Sequence, residues 1–289
     1  MQLKRLILGP LILVRHGSLR PGAVTLPDSS HRVYLNPADD RAYKKLVMDS
    51  ARGRISTPMH FWRDHVRALA PCLALDVGAN YGEVFAFGDY AHSRCIAVEA
   101  NPTLHPFLEK TRDHHPDASR IHLEACLVGD AEGGEGSLFF SPTWTGGGSA
   151  IPGGAHLREA RVRRRSLDAI VAEQPGWQDS PLLLKMDVEG YEGHALAGFE
   201  DIFRRERVVG IMEFDTGMLK KAGTDPEVLF QKLAQRFSVY LTYPRQRRLG
   251  ALRQWADLGA TLDKGRGEFH CDLAFFSRPD LIAPHWTTR

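Results

Sequence analysis

Leu73-Ala74-Leu75-Asp76-Val77-Gly78-Ala79-Asn80-Tyr81-Gly82-Glu83, followed by Cys95-Ile96-Ala97-Val98-Glu99, is the stretch from which the fold of this 289-residue chain is read. It predicts a buried strand, a glycine-rich turn, a short helix and a second strand that ends in a carboxylate. That is the first β-α-β unit of an open α/β sheet, whose ligands sit beyond the carboxyl ends of the strands. A chain turning sharply out of a strand needs positive φ or close approach by a ligand, and a Cβ obstructs both, which accounts for Gly78 and Gly82. Glu99, at the end of the second strand, is positioned to accept hydrogen bonds from ribose hydroxyls. The spacing Gly78-x-Asn80-x-Gly82 departs from the Gly-x-Gly-x-x-Gly of nicotinamide and flavin sites, so no diphosphate fingerprint results. The plain alternative is an αβ loop that happens to hold two glycines.

The length suits one α/β domain with some decoration. With 37 basic and 35 acidic residues the whole molecule carries no large field for a polyanion, and no nucleic-acid partner is expected. The local exception, Arg161-Val162-Arg163-Arg164-Arg165, reads as a solvated strand edge rather than a phosphate patch, because no aromatic residues interleave with it. Cys72, Cys95, Cys126 and Cys271 lie in or beside apolar runs without close spacing. They read as small core residues in a reducing compartment, and the protein is expected to be cytoplasmic. Lys4-Arg5 before the apolar residues 6–14 imitate a signal peptide. Yet Pro10 interrupts the run, Arg15-His16 stand where small residues would be cleaved, and the run is too short to span a bilayer. An internal strand is expected there, with a weak surface anchor making peripheral membrane contact as the alternative.

Residues 1–71 read as an N-terminal extension that covers the core, and residues 72–289 as the catalytic domain. In the extension, strand-like runs at 23–26 and 31–35 flank a turn, and Asn36-Pro37 and Thr57-Pro58 read as helix starts. Asn101-Pro102 opens a helix in the same way, residues 121–128 form a third strand, and 137–140 are strand-like again. Residues 141–154 contain Trp144 among glycines and prolines. No regular structure is expected there, and the segment is either a lid over a substrate or a plain surface loop. The continuous apolar run at 182–186 suits a central parallel strand buried on both faces, ending at Asp187. Asp187 and Glu189 should then share a cleft with Gly78 and Gly82. The strand at 208–212 ends in Glu213 in the corresponding place. Segments 238–243 and 268–276 supply the last strands, and 245–266 carry no assignment.

Four segments in order resemble the FkbM-type methyltransferases: 75–83, Glu99-Ala100-Asn101-Pro102, Ser166-Leu167-Asp168, and Leu184-Lys185-Met186-Asp187-Val188-Glu189-Gly190-Tyr191-Glu192. The resemblance runs from about residue 72 to 276. It implies a Rossmann-like class I methyltransferase fold, a mostly parallel α/β sheet with helices on both faces and an antiparallel last strand. It further implies S-adenosylmethionine as donor and O-methylation of a hydroxyl on a glycan or natural-product acceptor. Cofactor contacts then fall to Gly78, Asn80 and Gly82 at the methionine end with Asp76 nearby, to Glu99 at the ribose, and to Ala100 and Cys126 near the adenine.

A hydroxyl is a poor nucleophile until its proton is removed or a cation binds it. Asp187 and Glu189 are the expected catalytic pair, although Glu189 also suits a helix cap. His194 is the nearest histidine. No residue is assigned to a metal, although a divalent cation held by Asp187, Glu213 and Glu189 is an alternative. The rival from another class is a non-catalytic cofactor-fold scaffold in a polysaccharide or natural-product assembly system.

Overall fold

Strands Ile121–Glu124, Arg94–Val98, Leu73–Val77, Leu182–Met186 and Val208–Asp215 lie side by side in that order, all parallel. They are five of the strands of a nine-stranded sheet in a computed structural model describing residues 2–141, 143–152, 156–174, 176–262 and 268–288. His270–Phe276 inserts antiparallel between Val208–Asp215 and Ser238–Thr242. Arg248–Leu252 and Thr287–Thr288 complete the far edge. Jumping from the first strand to the outer edge and back produces a crevice where the strand order reverses. The fold is the mostly parallel, Rossmann-like α/β sheet expected, with its antiparallel late strand.

The pleat divides each strand between two core layers. Leu73, Leu75, Val77, Leu182, Leu184 and Met186 enter one layer, where they meet Leu196, Phe199 and Phe230. Ala74 and Leu183 face the other, which the N-terminal residues build with Phe61, Trp62 and Val66. Helix Thr57–Leu69 supplies that cover, with Ser56 as its cap and Pro58 in its first turn. The Phe61 ring packs at a tilt against Phe276, centroids 5.9 Å apart, so the N-terminal segment is continuous with the sheet's own core.

Several expectations need correction. The N-terminal apolar run is a helix, Gln2–His16, not a strand. Leu8 and Ile12, four residues apart, turn one face into the core, and Pro10 is tolerated on the exposed side. Asn36 caps no helix. Asp39 does, opening a helical stretch through Asp40–Ala42, a π-turn at Tyr43–Val47 and Met48–Ala51. The helix expected at Asn101 starts at His105, because the Asn101 side chain bonds Thr103 in a local turn.

The third strand divides in two. Ile121–Glu124 stays in the main sheet, while Leu127–Val128 joins a separate four-stranded sheet with Arg158–Arg165, Glu135–Ser141 and Trp144–Ser149. Trp144–Ser149 is thus a strand where none was expected, fixed by hydroxyl contacts at Thr145 and Ser149. Pro142, Gly153 and Gly154 of the expected lid lie outside the described residues. The arginine-rich strand is interior to its sheet rather than an edge, and Arg165 is buried against Glu124, Glu132 and Glu173. Residues 248–252 form a strand and 255–262 a helix. Among the described residues no helix is long and apolar enough to cross a membrane.

Candidate active site

The parallel strands open their carboxyl ends into a cleft of about 390 Å³, lined on one side by Gly78, Asn80 and Glu99 and on the other by Asp187, Glu189 and Glu213. The two acidic segments therefore share one cavity. A volume of that order suits a small organic ligand.

Gly78 has φ +76°, and a Cβ there would lie 1.8 Å from the Asp187 carbonyl oxygen. Only glycine lets the first turn and the end of the Leu182–Met186 strand touch. The Asp187 amide donates to the Val77 carbonyl at 3.0 Å and closes the same junction. Beneath it, Lys185 Nζ donates to the Gly78 carbonyl at 2.7 Å and stands 3.3 Å from Asp76 Oδ1. Lys185 and Asp76 are register partners on adjacent strands, so the pleat puts both on one face. Neighbouring carboxylates hold the Lys185 ammonium above its ordinary value despite burial. Asp76 is fully buried, also accepts from the Phe85 amide at 3.1 Å, and does not line the cleft. Gly82 does not line it either; its φ of +85° and the Phe85 ring 2.4 Å from an added Cβ make it a packing glycine.

Glu99 links two strand ends. Its Oε2 accepts from the Asn80 amide at 2.7 Å and its Oε1 from the Asn101 amide at 2.8 Å. Burial pushes its carboxyl up to about 7, and the two amides pull the other way. Asn80 has a left-handed φ of 52°, a conformation asparagine tolerates better than most residues. Ala100 and Cys126 line the same end of the cleft. Asn80 Oδ1, Glu83 Oε2 and Asn101 Nδ2 are buried without a hydrogen-bond partner. Unmatched polar atoms around a cavity are what a polar ligand would satisfy, so these residues fit a nucleoside cofactor.

Across the cleft Asp187, Glu189 and Glu213 each bring a carboxylate oxygen within 4.8 Å of the others. Burial raises Glu189 to about 8 and Glu213 further, and Asp187 adds to both shifts. Like charges this close retain protons that isolated carboxylates would lose. Arg41 opposes the crowding, with Nη2 3.7 Å from Glu189 Oε1. Glu189 sits at φ 54° and caps nothing: Glu192 Oε1 instead accepts from the Val188 and Gly190 amides at 3.0 and 3.3 Å. His194 is turned aside, with Nε2 on the Ala222 carbonyl at 2.9 Å and its ring stacked on Tyr191.

Sequence reasoning missed Arg41, Lys185, Thr145 and Ser149. Lys185 left a signal, a lone cation in an apolar run parallel to another run with a lone aspartate. Arg41 left none, since its place depends on the N-terminal segment folding over the strand ends.

The sequence profile of the Methyltransferase FkbM domain matches residues 76–240, more than half of the chain. The chain belongs to the FkbM methyltransferase family. S-adenosylmethionine is accordingly its cofactor. No curated protein matches the FkbM chain in sequence. Among solved structures it is similar to geranyl diphosphate C-methyltransferase from Streptomyces coelicolor, 13% identical, covering 84% of this chain and 83% of that one at a TM-score of 0.42. An O-methyltransferase from Bacillus cereus is 12% identical over 73% of this chain and 76% of its own, at a TM-score of 0.38. Precorrin-6y C5,15-methyltransferase from Geobacter metallireducens is 13% identical over 73% and 83%, at 0.35.

Proposed function

We propose that this methyltransferase is an O-methyltransferase acting on a hydroxyl of a glycan or natural-product acceptor. The observation that carries the reading is the pairing, across one cleft, of the Glu99 carboxylate with the Asp187–Glu189–Glu213 wall. When bound, S-adenosylmethionine supplies an electrophilic methyl group on a sulfonium. Gly78 and Asn80 hold its methionine end through backbone groups, Glu99 accepts the ribose hydroxyls, and Ala100 and Cys126 flank the adenine. Asp187 orients the acceptor hydroxyl, a positioning task in which geometry contributes most of the rate. Glu189 takes the hydroxyl proton in its ionised form, which the Arg41 guanidinium favours. Its raised pKa gives it basicity near neutral pH that an ordinary carboxylate lacks, and Arg41 holds its orientation.

The test is mass spectrometry for the gain of one methyl group across a panel of hydroxylated acceptors, glycans first, with Asp187→Asn and Glu189→Gln alongside. Each variant should lower turnover by about 10²-fold or more with cofactor affinity nearly unchanged. Near-normal rates in both would remove the catalytic assignment. Calorimetric binding of S-adenosylmethionine with no transfer to any acceptor would favour the scaffold reading. The 4.8 Å carboxylate cluster also favours a version in which a hard divalent cation binds the hydroxyl. Turnover that survives exhaustive chelation eliminates that version.

A further inference from the structure

Residues 1–27 contain Lys4, Arg5, Arg15 and Arg20 and no aspartate or glutamate, the first acid being Asp28. Within this cationic segment helix Gln2–His16 buries Leu8 and Ile12 and leaves the opposite side to solvent. Leu11 is 44% exposed, Leu13 50%, Val14 86% and, just past the helix, Leu19 52%. Four of the six large hydrophobic residues left exposed among the described ones thus fall within nine positions. The outer face is apolar where a solvated helix would be polar, and Arg15 is exposed beside it. The helix is anchored to the body: Arg20 pairs with Asp40 at 2.8 Å and lies over the Tyr43 ring at 4.7 Å. The stretch that receives it, residues 40–51, also lines the cleft through Arg41, Lys45, Leu46 and Asp49.

We propose that helix Gln2–His16 and the following turn dock on an anionic lipid surface. Leu11, Leu13, Val14 and Leu19 enter the acyl boundary while Arg15 meets the headgroups, in a segment that carries no acid before Asp28. The charge complementarity selects an anionic bilayer over a second copy of the chain, which would bring the same cations together. The helix lies in the interface and does not cross it. Docking there presents the cleft, one helical layer away, to acceptors carried at a membrane surface.

The experiment is co-sedimentation of the full chain with vesicles of phosphatidylcholine alone and with a quarter phosphatidylglycerol, with light scattering for oligomeric state. The protein should bind the anionic vesicles selectively, and less at high salt. Leu13→Glu/Val14→Glu and, separately, Arg15→Glu should each weaken binding by about tenfold or more with unfolding temperature preserved. Wild-type protein left in the supernatant with anionic vesicles would overturn the proposal. So would variants that bind like wild type, or a dimer that Leu13→Glu/Val14→Glu dissociates without any vesicle binding.

Discussion

Glu99 shows how much one side chain settles. Its two oxygens are fixed by amides from two different strand ends, and burial raises its carboxyl to about 7. A protonated carboxyl has one acceptor oxygen fewer for ribose hydroxyls. Because the shift is upward, the competent carboxylate form is lost as pH falls through about 7 and gained as it rises. Affinity for S-adenosylmethionine, measured by calorimetry, should therefore climb between pH 6 and pH 8. Glu99→Gln should flatten that dependence, and Glu99→Ala should weaken binding by about 1–3 kcal/mol, the cost of unpaired partners. A pH-independent wild-type affinity would separate Glu99 from the ribose. Its place was legible because a carboxylate at the end of an apolar run has few other uses. Asp76 was less legible: its acid pairs downward with Lys185, a partner that exists only once the strands are in register.

At the scale of elements, Asp39 ties three segments together. It caps the helical stretch through the Arg41 and Ala42 amides, and its Oδ2 accepts from Tyr81 in the glycine-rich turn at 2.9 Å and from Thr145 in the small sheet at 2.5 Å. Asp39→Ala strands two buried hydroxyls and frays the stretch that carries Arg41. Urea unfolding should show a loss of at least about 2 kcal/mol, accompanied by weaker cofactor binding because Tyr81 is released. A loss within ~0.5 kcal/mol would mean that water replaces the carboxylate. The strands at 73–77 and 182–186 were readable as apolar runs with polar ends, since burial on both faces writes itself into composition. Trp144–Ser149 was not, because a strand of glycines has no side-chain pattern and owes its form to partners on Asp39 and Glu189.

Over the whole molecule, a ligand that binds only the folded state adds stability by mass action. At a hundredfold excess over its dissociation constant, S-adenosylmethionine should add about 2.7 kcal/mol and raise the unfolding midpoint by roughly 4–5 °C, while NAD at the same concentration should leave it unmoved. Equal shifts would mean that the cleft does not discriminate a sulfonium nucleoside from a dinucleotide. What the sequence determined by itself is the sheet and its cofactor end: buried strands, positive-φ glycines and strand-terminal acids are local requirements, written in consecutive residues. Only the tertiary structure decided what faces Glu189 and Asp187. Arg41, Thr145 and Ser149 come from segments far apart in the chain, and they converge because the N-terminal segment, from Leu8 onward, buries its apolar residues in the sheet's core and closes over the strand ends. Local sequence carries no term for that distance.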